Sequence, residues 1–101
     1  MKIFDRIFRA NRSPEEVIEL LEAILKRTIS DVDWDDFISV KVIDPELEKV
    51  RERVEEIWTE DSPYRVEGSI DPTDLNPKGV AEIRKLIDSI KRITGREFYE
   101  N

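Results

Sequence analysis

Apolar residues recur at steps of three and four through three long stretches of the chain, and each stretch opens on a proline set just after a residue suited to cap a helix. Ser13-Pro14-Glu15-Glu16 supplies a capping hydroxyl, a proline whose missing N–H is no loss at the first helical position, and Glu16 placed to close a capping box. The helix this predicts runs from Pro14 to about Thr28. It carries Val17, Leu20, Leu21, Ile24, Leu25 and Thr28 on one face and Glu15, Glu19, Glu22 and Lys26 on the other. Asp44-Pro45-Glu46 repeats the device and predicts a helix to about Thr59, with a narrow apolar stripe of Leu47, Val50, Val54, Ile57 and Trp58. On its charged sides Glu48/Arg51, Arg51/Glu55 and Arg53/Glu56 stand at spacings that bring opposite charges onto neighbouring turns. Asn76-Pro77 opens the last helix, in which Val80, Ile83, Leu86, Ile87, Ile90 and Ile93 share a side, and Thr94-Gly95 is expected to stop it in a left-handed turn.

A fourth, short amphipathic segment, Lys2 to about Arg9, groups Ile3, Phe4, Ile7 and Phe8, and its two turns need a surface to dock on. Two stretches do not read as helix. Phe37 to Ile43 alternates as a strand would, with Ile38, Val40 and Val42 inward, and Asp61 to Leu75 is rich in turn formers. The only partner in view for an extended segment at 37–43 is Tyr64-Arg65-Val66. Extended coil is therefore expected there, with a short two-stranded pairing as the lesser alternative. The fold class expected is all-α: a single domain over residues 1–101, built as a bundle of three long helices plus the short N-terminal one.

Composition narrows the chemistry. Among 101 residues, 24 are Asp or Glu and 17 Lys or Arg, giving a formal net charge of −7, which makes nucleic acid a poor partner. There is no Cys and no His, which removes disulfides, thiolate nucleophiles, ordinary zinc sites and the commonest general base together. No uncharged run exceeds the four residues Phe37 to Val40, so no membrane span or leader is expected and the cytoplasm is the default compartment. The charge is also uneven. Residues 31–61 hold twelve acids against four bases, whereas residues 1–12 hold four bases against one acid.

Catalytic readings fare badly against these residues. Asp31, Asp33 and Asp35 imitate the start of a calcium loop, but Asp36 stands where the turn needs glycine and Val42 where a bidentate glutamate belongs. Paired carboxylates suffice for a glycosidase, yet in a chain this acidic their adjacency carries no information. Serines and threonines lack a histidine base, and Gly68, Gly79 and Gly95 are too scattered to cradle phosphate. No cofactor and no metal site is expected. The basic, aromatic first segment has the composition of a membrane-surface helix, but two turns bury little and the rest of the chain repels an anionic surface.

What remains is recognition. Asp33-Trp34-Asp35-Asp36-Phe37 sets two aromatics among acids, as interfaces do when aromatics supply burial and charges supply choice. The alternative is that Trp34 and Phe37 are core and the aspartates merely solvate a turn. With Asp44-Pro45-Glu46-Leu47 and the run Ser69 to Pro77, each opening a helix, this block resembles the small acidic immunity proteins of bacterial contact-dependent and polymorphic toxin systems. That resemblance implies an inhibitor that occludes a basic toxin domain, often a nuclease, with carboxylates standing in for phosphates. The expected partner surface comprises Asp31, Asp33, Trp34, Asp35, Asp36, Glu52, Glu55 and Glu56, with a basic protein as partner and the chain itself a monomer or weak homodimer. The competing expectation is a structural or regulatory helical module that self-associates through the stripe from Leu47 to Trp58.

Overall fold

The computed structural model describes residues 10–59, 62–71 and 73–100, with side chains described as far as residue 93. Among the described residues four helices follow one another: α1 (Pro14–Lys26), α2 (Asp31–Ser39), α3 (Pro45–Trp58) and α4 (Pro77–Glu100). No sheet is present among the described residues, only two isolated bridges, and no described helix is long and apolar enough to cross a membrane. The short helix expected over Lys2 to Arg9 lies outside the described residues.

The proline-led starts form as their chemistry dictates. The Ser13 hydroxyl accepts from the Glu16 N–H at 3.1 Å, and the Asp44 carboxylate accepts from the N–H groups of Glu46 and Leu47 at 2.9 and 3.3 Å. The reciprocal half of the capping box does not form, because the Glu16 carboxylate turns to the Arg12 guanidinium instead, at 2.8 Å. α1 ends two residues earlier than its pattern predicts. Arg27 adopts a left-handed conformation with φ 58°, fixed by the Thr28 N–H on Ala23 O at 2.9 Å.

Three expectations are corrected. Residues 37–39 are not extended but finish α2, which Ser30 starts by accepting from the Asp33 N–H at 3.0 Å. Trp34 and Phe37, one turn apart, then drive the helix into the core, and only Val40 onward is extended. The extended piece does not pair with Tyr64-Arg65-Val66. Val42 bridges Ala10 in parallel, with the Ala10 N–H on Lys41 O at 2.7 Å and the Ile43 N–H on Ala10 O at 2.9 Å, while Arg65 bridges Leu75. Loop closure explains only the second bridge: Leu75 is nearer in sequence to Arg65 than Val42 is and takes its pairing, which leaves the extended piece to the more distant Ala10. Finally, α4 runs through Gly95 to Glu100. Glycine weakens a helix by about 1 kcal/mol but does not force a left-handed turn, and no proline follows to divert the chain.

A single apolar core joins all four helices: Val17, Leu21 and Ile24 from α1, Trp34 and Phe37 from α2, Leu47, Val50, Val54 and Ile57 from α3, Ile83, Ile87 and Ile90 from α4, with Val42 between α2 and α3. α1 packs chiefly on α4, while α3 touches both α2 and α4. The stripe expected to mediate self-association is therefore consumed inside, since Leu47, Val50, Val54 and Ile57 are all at most 5 % exposed.

Candidate functional site

α2 is a nine-residue helix whose two sides differ sharply. At about 100° per residue, Trp34, Phe37 and Ile38 point one way and Val32, Asp35, Asp36 and Ser39 point the other. The inner side is tightly tied down. Trp34 is 7 % exposed and meets Trp58 edge to face, with ring centroids 5.7 Å apart, and Phe37 is wholly buried beneath the Arg12 guanidinium, 5.8 Å from its ring centroid. Of the two readings of these aromatics, core packing is the one realised, so Trp34 orients α2 and is not itself presented to solvent.

The C-terminal end of α2 is held by Arg51, a buried guanidinium on α3. It donates to the Ile38 carbonyl at 2.6 Å, to both oxygens of Glu48 at 2.8 and 2.7 Å, and to Glu55 at 2.8 Å. Glu48 also accepts from the Val42 N–H at 2.8 Å, so one ion pair fixes the whole α2–α3 turn. Burial alone raises the pKa of Glu48; the Arg51 and Val42 hydrogen bonds outweigh it and leave the carboxyl below its ordinary value. The hydrogen bonds to Glu48 and Glu55 raise the pKa of Arg51 against its burial.

The twelve acids of residues 31–61 thus divide by use. Asp36 is drawn to Arg12 at 2.6 Å, Glu46 to Lys49, Glu48 and Glu55 to Arg51, and Glu56 to Arg53 at 2.9 Å, while Asp44 caps α3. Glu60 and Asp61 lie outside the described residues. Asp31, Asp33, Asp35 and Glu52 are exposed and make no ion pair among the described residues. Of the residues singled out from the sequence, the structure therefore groups Asp31, Asp33, Asp35 and Asp36 on one helix. Arg51 brings Glu55 to the end of that helix, and Glu52 lies on the outer side of α3. Glu56 is not part of this group, because Arg53 draws it toward Glu82 on α4.

Between the free aspartates stands a residue the sequence reading passed over. Val32 is 76 % exposed and occupies the outward ridge of α2, one turn from Asp35 and Asp36. The available signal was the S-x-x-D cap at Ser30. Once α2 is read as a helix led by Trp34 and Phe37, Val32 falls on the opposite side. The negative charge does not run round the whole molecule either, since the exposed positions of α4 include Lys78, Arg84, Lys85, Lys91 and Arg92 against Asp88.

A second surface feature is an open cavity of about 780 Å³ in the connection between α3 and α4, walled by Pro63, Arg65, Val66, Glu67, Ser69 and Asn76 among others. Nothing in the sequence announced it, since a cleft between turns depends on how the turns stack. Among the described residues no three carboxylates converge as metal ligands would. α2 thus presents an exposed aliphatic side chain flanked by the carboxylates of Asp31, Asp33 and Asp35, with Asp36 paired to Arg12. Comparison of the chain with protein-family models, with curated proteins and with solved structures finds no match.

Proposed function

We propose that this chain is a non-enzymatic protein-binding module that captures a basic partner on the outward face of α2, and that it acts as an acidic inhibitor of the immunity type by occluding that partner. The observation that supports the reading is Val32, an aliphatic side chain 76 % exposed beside Asp31, Asp33 and Asp35, which make no ion pair among the described residues, whereas Asp36 is paired with Arg12. Burying a valine contributes about 1.5 kcal/mol, enough to anchor but not to hold, and the aspartates add steering and choice. Asp31, Asp33, Asp35 and Asp36, with Glu52 and Glu55 flanking, face lysines and arginines of the partner, which in a nuclease-type toxin domain are the groups that bind phosphate. Trp34 supports this face from beneath.

The test compares three baits of known charge: the native chain, Asp31→Asn/Asp33→Asn/Asp35→Asn on α2, and Glu15→Gln/Glu19→Gln/Glu22→Gln on α1, which removes the same charge elsewhere. A basic protein retained by the native and α1 baits, lost from the α2 bait, and rebinding as a purified component in a salt-sensitive way supports the reading. Equal capture by the two triple variants overturns it.

A further inference from the structure

Arg12 already sets one of the chain's own cations on α2. Its guanidinium reaches Asp36 at 2.6 Å, over the Phe37 ring that it covers, and Glu16 on α1 at 2.8 Å. Two residues earlier the backbone of Ala10 is fixed. Its N–H donates to Lys41 O at 2.7 Å and its carbonyl accepts from the Ile43 N–H at 2.9 Å. Because Ala10 and Val42 bridge in parallel, the chain traced backwards through Ala10 points past Lys41 and Val40 toward Ser39, where α2 ends. The sequence that leads into Ala10 is thus rooted beside the acidic helix.

That sequence is the chemical complement of the face it adjoins. Lys2, Arg6 and Arg9 stand against the single acid Asp5, with Ile3, Phe4, Ile7 and Phe8 among them. On α2, Asp31, Asp33 and Asp35 make no ion pair among the described residues, and Val32 stands exposed between them. Reach does not limit the encounter. Eight residues span up to about 26 Å when extended, and the nine residues of α2 rise only about 13 Å. A segment tethered so closely meets its target at an effective concentration in the millimolar range, so contacts too weak to join separate molecules suffice.

We propose that the segment Lys2 to Arg9 is a tethered competitor for the outward face of α2, its three cations set against Asp31, Asp33 and Asp35 and its apolar residues against Val32. The inference rests on α2 being the capture face and adds the regulation of that face. A basic partner then has to displace the chain's own segment, and its apparent affinity is reduced by the fraction of time the face is covered. A partner with few cations loses that contest and one with many wins it, which sharpens the choice of partner beyond charge alone.

The chain has no Cys, so Asp5→Cys places a single nitroxide in the segment of the full-length protein. In the free chain its paramagnetic broadening should fall on the Val32 methyl groups and the amides of Asp31 to Asp36, spare Arg84 and Lys85, and fade in high salt. Broadening centred on α1 or α4 overturns the proposal. So does equal broadening of an unlabelled chain mixed with nitroxide-bearing copies, the sign of a second copy's segment. A second measurement uses hexalysine as the basic probe. Lys2→Gln/Arg6→Gln/Arg9→Gln is compared with Lys78→Gln/Arg84→Gln/Lys91→Gln, which removes the same charge from exposed positions of α4. The first variant should bind at least about threefold tighter than the second, the ratio for a face left open no more than about a third of the time. Equal affinities overturn the proposal. Capture of a basic protein without the broadening on α2 strikes this inference alone, and the broadening without any capture strikes the binding-module reading.

Discussion

Replacing Arg51 by methionine removes the fastening between α2 and α3 while keeping most of the buried volume. Arg51 makes four hydrogen bonds of 2.6 to 2.8 Å, and they are not equal. The Glu55 carboxylate is 51 % exposed, so its pair contributes about 0.5 kcal/mol. Glu48 is 19 % exposed, and without Arg51 its charge is left largely desolvated, with Ile38 O orphaned beside it. Deleting one partner of a buried pair costs about 3–5 kcal/mol. Glu48 keeps the Val42 N–H, which places this site at the lower end, about 3 kcal/mol. At roughly 4 °C per kcal/mol for a domain of this size, Arg51→Met should lower Tm by about 12 °C, measured by far-UV circular dichroism. Adding Glu48→Gln keeps an acceptor for Val42 N–H and removes the stranded charge, so the double variant should regain about 1.5 kcal/mol over Arg51→Met alone. The same reasoning fixes a sign in pH. The folded pKa of Glu48 lies below its unfolded value, so its contribution is present above the unfolded pKa and fades as pH falls through the folded one. Arg51→Met should raise the Glu48 pKa and remove that acid-side loss. A cost under about 1 kcal/mol, or a double variant no more stable than Arg51→Met, would refute the account of this turn.

Gly79→Ala in the first turn of α4 should destabilise by about 1–3 kcal/mol in urea unfolding, although alanine is the better helix former by about 1 kcal/mol, because its Cβ would overlap the Tyr64 carbonyl oxygen and stand 3.0 Å from Leu75 Cβ. A neutral or stabilising result would mean that the connection does not rest on that turn. Trp34→Ala should cost about 3–5 kcal/mol of folding stability, as a core aromatic does, and shift the fluorescence of Trp58. Unchanged stability would return Trp34 to the list of contact residues.

The long helices were legible because each carries its own start signal and enough turns to average out exceptions; Pro14, Pro45 and Pro77 each sit at the first helical position. α2 was not, because its nine residues hold only Trp34, Phe37 and Ile38 on the inner side and the alternation of Ile38, Val40 and Val42 competes with them. The decisive local term was the Ser30 cap, which is worth about 1 kcal/mol and is easily outvoted by a strand-like pattern. The α3 ion pairs were readable from spacing alone, as i to i+3 and i to i+4 geometry is local. Which acids remain free was not readable, since Arg12 reaches Asp36 across 24 residues and Arg53 reaches Glu82 across 29. The exposed Val32 and the cavity around Arg65 emerge only when those long-range contacts are in place.

The most direct measurement of the central claim is an NMR footprint of the complex with the basic protein recovered by the native bait. The Val32 methyl groups and the amides of Asp31 to Asp36 should shift or broaden first, with Glu52 and Glu55 following and the basic face of α4 unmoved. A footprint on Arg84, Lys85, Lys91 and Arg92, with the α2 resonances where they stand in the free chain, would contradict it.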